Sequence, residues 1–319
     1  MKSATPNASN ASVRSIDAFV GVNASMALPM TKGFEPDYQG LGRYARWLVD
    51  QGVTGVTVNA DTGEGAHLSL EERIRVIESV KSEVGEAILV ASGLIASHTQ
   101  QAVEIASALR TAGADALLVF GIPAFNGKPL PSELVYQYFA SLSECDIPLI
   151  GFNLTASLGG VVFEPEVIAR IATIDNLVAL KEASFDAASY VASRDALRSA
   201  APNIAFLSGC DNFMYESFVL GADGALLGYA GLAAELTCQV FGAVASKDFE
   251  RAETLSRDRM QPLAEVLFGA PVRNSRARIK EGLRLLGLID ETTVRPPLLP
   301  LQDSERAAVK AAMTVAGLL

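Results

Sequence analysis

Hydrophobic positions along the chain fall into two alternating patterns. Short runs rich in apolar and β-branched residues recur at "FVGVNASMAL" (19–28), "VTGVTVNA" (53–60), "AILVASG" (87–93) and "ADALLVFG" (114–121). The series continues with "IPLIGFN" (147–153), "LVALKEA" (177–183), "IAFLSGC" (204–210) and "ADGALLGYA" (222–230). Their length and composition predict eight buried strands. Between them, apolar residues lie three and four apart, as in "SLEERIRVIESVKSEV" (69–84) and "HTQQAVEIASALRTAG" (98–113), which predicts amphipathic helices. Ser69 followed by Glu72 predicts a capping box. In "AGADALLV" and "LGADGALL" a glycine closes a helix and feeds the next strand.

Near-continuous apolar strands alternating with helices imply parallel strands covered by those helices. Eight such units within residues 16–235 fit a (β/α)8 TIM barrel, whose typical size is ~250 residues. The competing doubly wound sheet usually has fewer strands and often a glycine-rich phosphate turn after the first. Here the first strand runs into "MALPMTKGF", which has no such turn. Residues 236–319 continue as helices interrupted by "VRPPLLPL" (294–301) and read as a C-terminal helical extension packed on the barrel. The polar, small residues of 1–15 lack the apolar h-region of a secretory signal and read as a flexible tail.

Composition narrows the function classes. The net charge of −10 argues against nucleic acid and anionic membrane surfaces as partners. No apolar run approaches the ~18 residues of a membrane-spanning helix. Cys145, Cys210 and Cys238 are scattered, which predicts a reducing, cytoplasmic setting. His67 and His98 are the only histidines, so a zinc site of His and Cys ligands is not expected.

In a barrel, chemistry collects at the C-terminal ends of the strands. That rule selects Asp61, Thr62 and Glu64 after strand two and the loops "GIPAFNGKP" and "FNLTASLGG" after strands four and five. It also selects Lys181 on strand six, "SGCD" after strand seven and Tyr229 after strand eight. Lys181 is the sharpest of these. A lysine in a dry barrel mouth loses hydration, so its pKa falls and the neutral amine can attack a ketone. The resulting protonated imine draws electrons from the adjacent carbon. The alternative is a solvated lysine or one paired with Glu182, but neighbours on a strand face opposite ways. "GIPAFNGKP" is not a phosphate-binding loop, because Pro129 stands where that motif needs Ser or Thr. His67 reads as a surface or capping residue, and Cys210 as a packed small one.

Taken in order, "GVTGVTVNADTGEGAHLSLEER", "IPLIGFN", "NLVALKEAS", "FLSGCD", "GADGALLG" and "VRPPLLPL" resemble the dihydrodipicolinate synthase/N-acetylneuraminate lyase family, the class I pyruvate-type aldolases. The resemblance spans about residues 16 to 317. It implies Lys181 as the imine-forming residue, with Thr62 and Gly63, inside 59–64, cradling the carboxylate of a 2-keto acid. It implies no metal and no cofactor, since the lysine is the electron sink. It also implies a homotetramer built as a dimer of dimers. Phe125, Phe152, Ser157 and Gly209 fall at positions that line the family's substrate pocket.

Four departures stand out. The family's relay tyrosines are replaced by Phe152 and Phe125, and its relay Ser/Thr by Asp61. Phenylalanine carries no transferable proton. The arginine that dihydrodipicolinate synthases use for the second substrate aligns with Ser157. A true dihydrodipicolinate synthase is therefore not expected. Asp61 and Tyr229 are expected to share the proton-transfer role instead. Three functional readings follow: a Schiff-base lyase of pyruvate or another 2-keto acid, a dehydratase or deaminase using the same imine, and a non-catalytic keto-acid-binding barrel.

Overall fold

The computed structural model describes residues 16–319, so the tail expected over 1–15 lies outside the described residues. Eight parallel strands close into a barrel in sequence order: β1 (Gly21–Ser25), β2 (Gly55–Val58), β3 (Leu89–Leu94), β4 (Ala116–Val119), β5 (Leu149–Leu154), β6 (Leu177–Ala183), β7 (Ala205–Ser208) and β8 (Gly224–Leu227). β8 pairs with β1, so no edge strand is left open. Seven helices connect them: α1 (Tyr38–Asp50), α2 (Leu70–Val84), α3 (Thr99–Thr111), α4 (Ser132–Ser143), α5 (Pro165–Ile171), α6 (Ala187–Ala200) and α7 (Met214–Val219). The capping box at α2 forms with both of its bonds, Glu72 N–H to Ser69 Oγ at 3.2 Å and Ser69 N–H to Glu72 Oε2 at 2.8 Å.

Each predicted run overlaps its strand, β6 coincides with 177–183, and β3 and β5 run one residue past theirs, to Leu94 and Leu154. Several other runs overshoot at their C-terminal ends. Residues 26–28 and 59–60 are buried, yet they lie beyond the ends of β1 and β2. After β8 the helix α8 (Ala234–Ala245) packs on β1, and residue 235 lies in its first turn. Beyond it come α9 (Phe249–Leu255), a π-helical turn at Ser256–Met260, α10 (Gln261–Phe268), α11 (Ser275–Leu285) and α12 (Asp303–Val315). Among the described residues, no helix is long and apolar enough to cross a membrane.

Side chains of two layers share the core. Those facing the helices include Leu117, Leu149, Phe206 and Leu227, and those filling the barrel include Leu118, Ile150, Phe152, Leu207 and Leu226. On β6 the register against β5 slips by one residue: Leu149 pairs with Leu177, but Ile150 pairs with Ala179. Val178 and Ala179 consequently both join the interior set, while Leu177 and Leu180 join the outer one. This bulge resets the alternation, so Lys181 faces the interior and Glu182 the helices.

The C-terminal extension is tied to the barrel mouth through α11. Arg276 and Lys280 lie one helical turn apart and reach Asp61 and Glu64 in the loop after β2. Both side chains of the Lys280–Glu64 pair are fully buried. Lys280 Nζ donates to Glu64 Oε1 at 2.5 Å and to the Thr293 carbonyl at 2.6 Å. Glu64 Oε2 accepts from the Arg295 N–H at 2.8 Å. The Arg295 guanidinium binds Glu72 and the carbonyls of Phe34 and His67, which docks "VRPPLLPL" on the barrel. Glu64→Ala would leave the Lys280 ammonium buried without a counter-charge. It is expected to cost about 3–5 kcal/mol in urea denaturation, and a loss under about 1 kcal/mol would contradict the clamp.

Candidate active site

Lys181 stands at the centre of the mouth, 7% exposed. Three local features place it there. The bulge turns it inward, and register pairs it with Phe152 on β5. Its Nζ lies 4.4 Å from the Phe152 ring centroid. Phe152 is itself held edge-on against Phe120, with ring centroids 4.9 Å apart. Gly209, after β7, leaves the space that the lysine stem occupies: a Cβ there would sit 2.6 Å from Lys181 Cε and 3.0 Å from the Glu182 carbonyl oxygen. Glu182 is on the other side of the strand, bonded to Asn153 Nδ2 at 2.8 Å and to the Ser184 N–H at 2.7 Å. Strand alternation thus separates the two charges, as the sequence suggests.

Burial pulls the Lys181 pKa down to about 8, against the opposing pull of Asp211 and Asp61. A substantial fraction of the amine is therefore neutral near pH 7.5, where an ordinary lysine has about one molecule in a thousand neutral. Asp211, also 7% exposed, faces the same space. Burial pushes its carboxyl up to about 6, although the Tyr229 N–H donates to Oδ1 at 2.8 Å and Lys181 favours its charged form. Cys210 is buried beside them, and burial raises its thiol well above the usual range. A protonated thiol there is a packed group and a poor nucleophile.

The opposite wall comes from β1 and the loop after β2. Thr62 Oγ1 lies 2.7 Å from Ser25 Oγ and 3.2 Å from the Met26 carbonyl, to which it donates. Among the described residues, the N–H groups of Thr62 and Gly63 donate to no protein acceptor, while those of Glu64 and Gly65 turn back to Asp61 and Ala60. A pair of free amides beside a hydroxyl is suited to a carboxylate. The cavity between this wall and Lys181 is about 30 Å³, room for a couple of water-sized groups. Phe152, Leu154, Leu158, Phe185 and Phe268 make its remaining sides apolar. Phe185 sits in a left-handed conformation (φ 62°), which is strained for a phenylalanine.

The residues singled out from sequence divide into two groups. Lys181, Asp61, Thr62, Phe152 and Gly209 line one pocket. Four others do not. The Tyr229 side chain is fully buried among the helix-facing core residues and its hydroxyl finds no partner there, so the expectation that it points into the mouth is corrected. Only its backbone N–H serves the site. Phe125 packs edge-on against Tyr138 and Phe163 beneath α4, away from the lysine, because its loop turns back into a single 3-10 turn at Pro123–Phe125. Ser157 is exposed and bonded to Thr155, while its neighbour Leu158 turns inward. Gly63 offers only its backbone N–H and does not itself line the cavity; a Cβ there would be 3.0 Å from the Met26 carbonyl oxygen. Asp61, expected to share proton transfer, has its carboxylate bonded to the Arg276 guanidinium, whose Nε also donates to the Asp61 carbonyl at 2.9 Å.

Nothing in the sequence points to Ser25, Phe185, Phe268 and Ser275, and it selects Asp211 only within "SGCD" with no role assigned; all five line the pocket. Asp211 had a usable signal, a carboxylate just past a strand end. Phe268 and Ser275 had none, because they arrive from the C-terminal extension.

An inward lysine, desolvated at the C-terminal end of β6 in a closed (β/α)8 barrel, defines a class: the Schiff-base-forming barrel enzymes. Comparison with known proteins agrees. The signature described as the Dihydrodipicolinate synthetase family matches residues 18–316. The 4-hydroxy-tetrahydrodipicolinate synthase of Neisseria meningitidis serogroup B is 31% identical over 300 residues, covering 94% of this chain and 99% of that protein. Its counterpart from Syntrophus aciditrophicus is 32% identical over 303 residues, with 94% and 99% covered. The solved structure of dihydrodipicolinate synthase from Acinetobacter baumannii, complexed with pyruvate, superposes with a TM-score of 0.83 at 30% identity, covering 95% of this chain and 100% of that one. The chain therefore belongs to the dihydrodipicolinate synthetase family, whose members are class I, Schiff-base lyases.

Two consequences follow for Lys181. Its depressed pKa means that the unfolded chain binds the extra proton between pH 8 and 10.5. Lys181→Met is accordingly expected to stabilise the fold at pH 7 by about 3 kcal/mol, with the gain shrinking as pH rises towards 10.5. Parallel urea titrations at the two ends of that range measure it, and a gain independent of pH would refute it. Gly209→Ala is expected to displace the lysine stem and lower hydride-trappable imine more than about tenfold with the circular dichroism spectrum unchanged. Normal trapping would show that the stem has room to move.

Proposed function

We propose that the protein is a class I lyase acting on pyruvate or another 2-keto acid, making or breaking a carbon–carbon bond through an imine on Lys181. The observation that carries this reading is the shared pocket of Lys181 and the Thr62 cradle. The neutral amine adds to the ketone carbon, the carbonyl oxygen leaves as water, and the cradle holds the adjacent carboxylate. The protonated imine then stabilises an electron pair on the neighbouring carbon, where the bond to the second substrate forms or breaks.

The same reading separates this protein from a true dihydrodipicolinate synthase. Its supports are Phe152 and Phe125 at the relay tyrosine positions, Ser157 at the arginine position, and a pocket with no arginine among its described lining residues. The wall of Leu154, Leu158, Phe185 and Phe268 favours a second substrate whose reacting end carries an apolar group. A cytoplasmic homotetramer, a dimer of dimers, completes the proposal.

Borohydride reduction in the presence of pyruvate, and separately of larger 2-keto acids, tests it. An adduct on the Lys181 peptide, absent in Lys181→Ala, is the expected result. Release of pyruvate from a hydroxylated 2-keto acid would establish carbon–carbon cleavage. An intact carbon skeleton after loss of water or ammonia would establish the dehydratase or deaminase instead. Trapping without turnover on any substrate would leave a keto-acid-binding barrel, and no trapping at all would overturn the imine.

A further inference from the structure

We propose that Asp211 is the proton-transfer group of this site, removing a proton from the carbon next to the imine and returning it to the product. The inference rests on the imine reading above and supplies what that reading lacks. Both positions where the resembled family carries relay tyrosines hold phenylalanine, and Phe125 is also remote from the lysine. The Tyr229 hydroxyl is buried in the outer core. Asp61 is engaged by Arg276. Thr62 donates its hydroxyl proton to the Met26 carbonyl, so Ser25 donates to Thr62, and this short chain ends on a backbone oxygen with no base in it.

Asp211 has the placement that the others lack. Its loop is fastened to β6 beside the lysine: the Gly209 N–H donates to the Glu182 carbonyl at 2.7 Å, and the Cys210 thiol to the same oxygen at 3.4 Å. The Tyr229 N–H holds Oδ1 at 2.8 Å, which orients the carboxyl without neutralising it. The side chain lines the same small cavity as Lys181. The groups facing it are Lys181 from β6, Asp61 from the loop after β2 with its partner Arg276 from α11, and the Cys210 thiol from its own loop. A carboxyl raised to about 6 can both accept and donate near neutral pH.

In the step proposed, the C3–H bond of the protonated keto-acid imine breaks and its proton goes to the Asp211 carboxylate. The C3–H electron pair becomes the C2–C3 double bond, and the C2–N π pair moves to nitrogen, giving a neutral enamine. In the reverse sense the Asp211 carboxylic acid protonates the enamine carbon after a carbon–carbon bond has broken. Charge and atoms balance with no further reactant.

Two readouts on the same samples test this: borohydride trapping of pyruvate, and solvent exchange of the pyruvate methyl protons in D2O followed by proton NMR. Asp211→Asn is expected to trap within about twofold of the unaltered protein, while exchange per trapped imine falls about 100-fold. The rise in exchange through pH about 6 should vanish with it. Trapping intact with exchange at the original rate would overturn Asp211 and leave the imine standing. If the unaltered protein traps nothing, the lysine reading fails and takes this inference with it. Should Asp211→Asn not fold, Asp211→Glu decides: a shifted pH midpoint of exchange supports the assignment, and an unshifted one overturns it.

Discussion

The cost of holding a primary amine out of water is the constraint around which the barrel mouth is organised. An ammonium ion is stable only where it is hydrated or paired, and Lys181 is neither exposed nor locked into an ion pair. Its neighbours are an aromatic face, a glycine and two carboxylates acting at longer range. That combination lowers the proton affinity without abolishing it. The amine can be neutral when it meets a carbonyl and charged once it has become an imine. A closer carboxylate would hold the proton too tightly, while a wholly apolar wall would give no help to the iminium.

The rest of the fold supplies rigidity around that amine. The loop after β2 must present two free amides and a hydroxyl in a fixed geometry, although no regular ladder holds it. Two ion pairs from a single face of α11 do so instead, one beside the pocket and one fully buried behind it. The C-terminal extension therefore closes the site as well as packing on the barrel, and Phe268 and Ser275 place it in the pocket wall. Burying Lys280 and Glu64 is expensive in desolvation, and such pairs are kept where geometry matters more than stability.

The pocket lining mixes polar and apolar groups. Ser25 on β1 and Asp61, Thr62 and Asp211 on the loops after β2 and β7 give the lining polar groups, and Leu154, Leu158, Phe185 and Phe268 give it apolar ones. The strained backbone of Phe185 shows that the ring position is held by the surrounding packing against local preference.

The eight strands, their parallel order and the lysine that ends the sixth were legible from the chain itself. Apolar runs of strand length alternating with amphipathic helices admit few architectures, and a lysine ending such a run is out of keeping with everything before it. The capping box at Ser69 and Glu72 was equally local and equally readable. Which way Lys181 points was not, because the bulge between β5 and β6 exists only as a pairing of two strands. Nor could the chain show that Tyr229 gives the site a backbone amide while its ring turns outward, or that Asp61 meets an arginine 215 positions away. Periodicity reports burial along one element. Direction, pairing and the company a side chain keeps belong to contacts between elements, and these only the closed barrel decides.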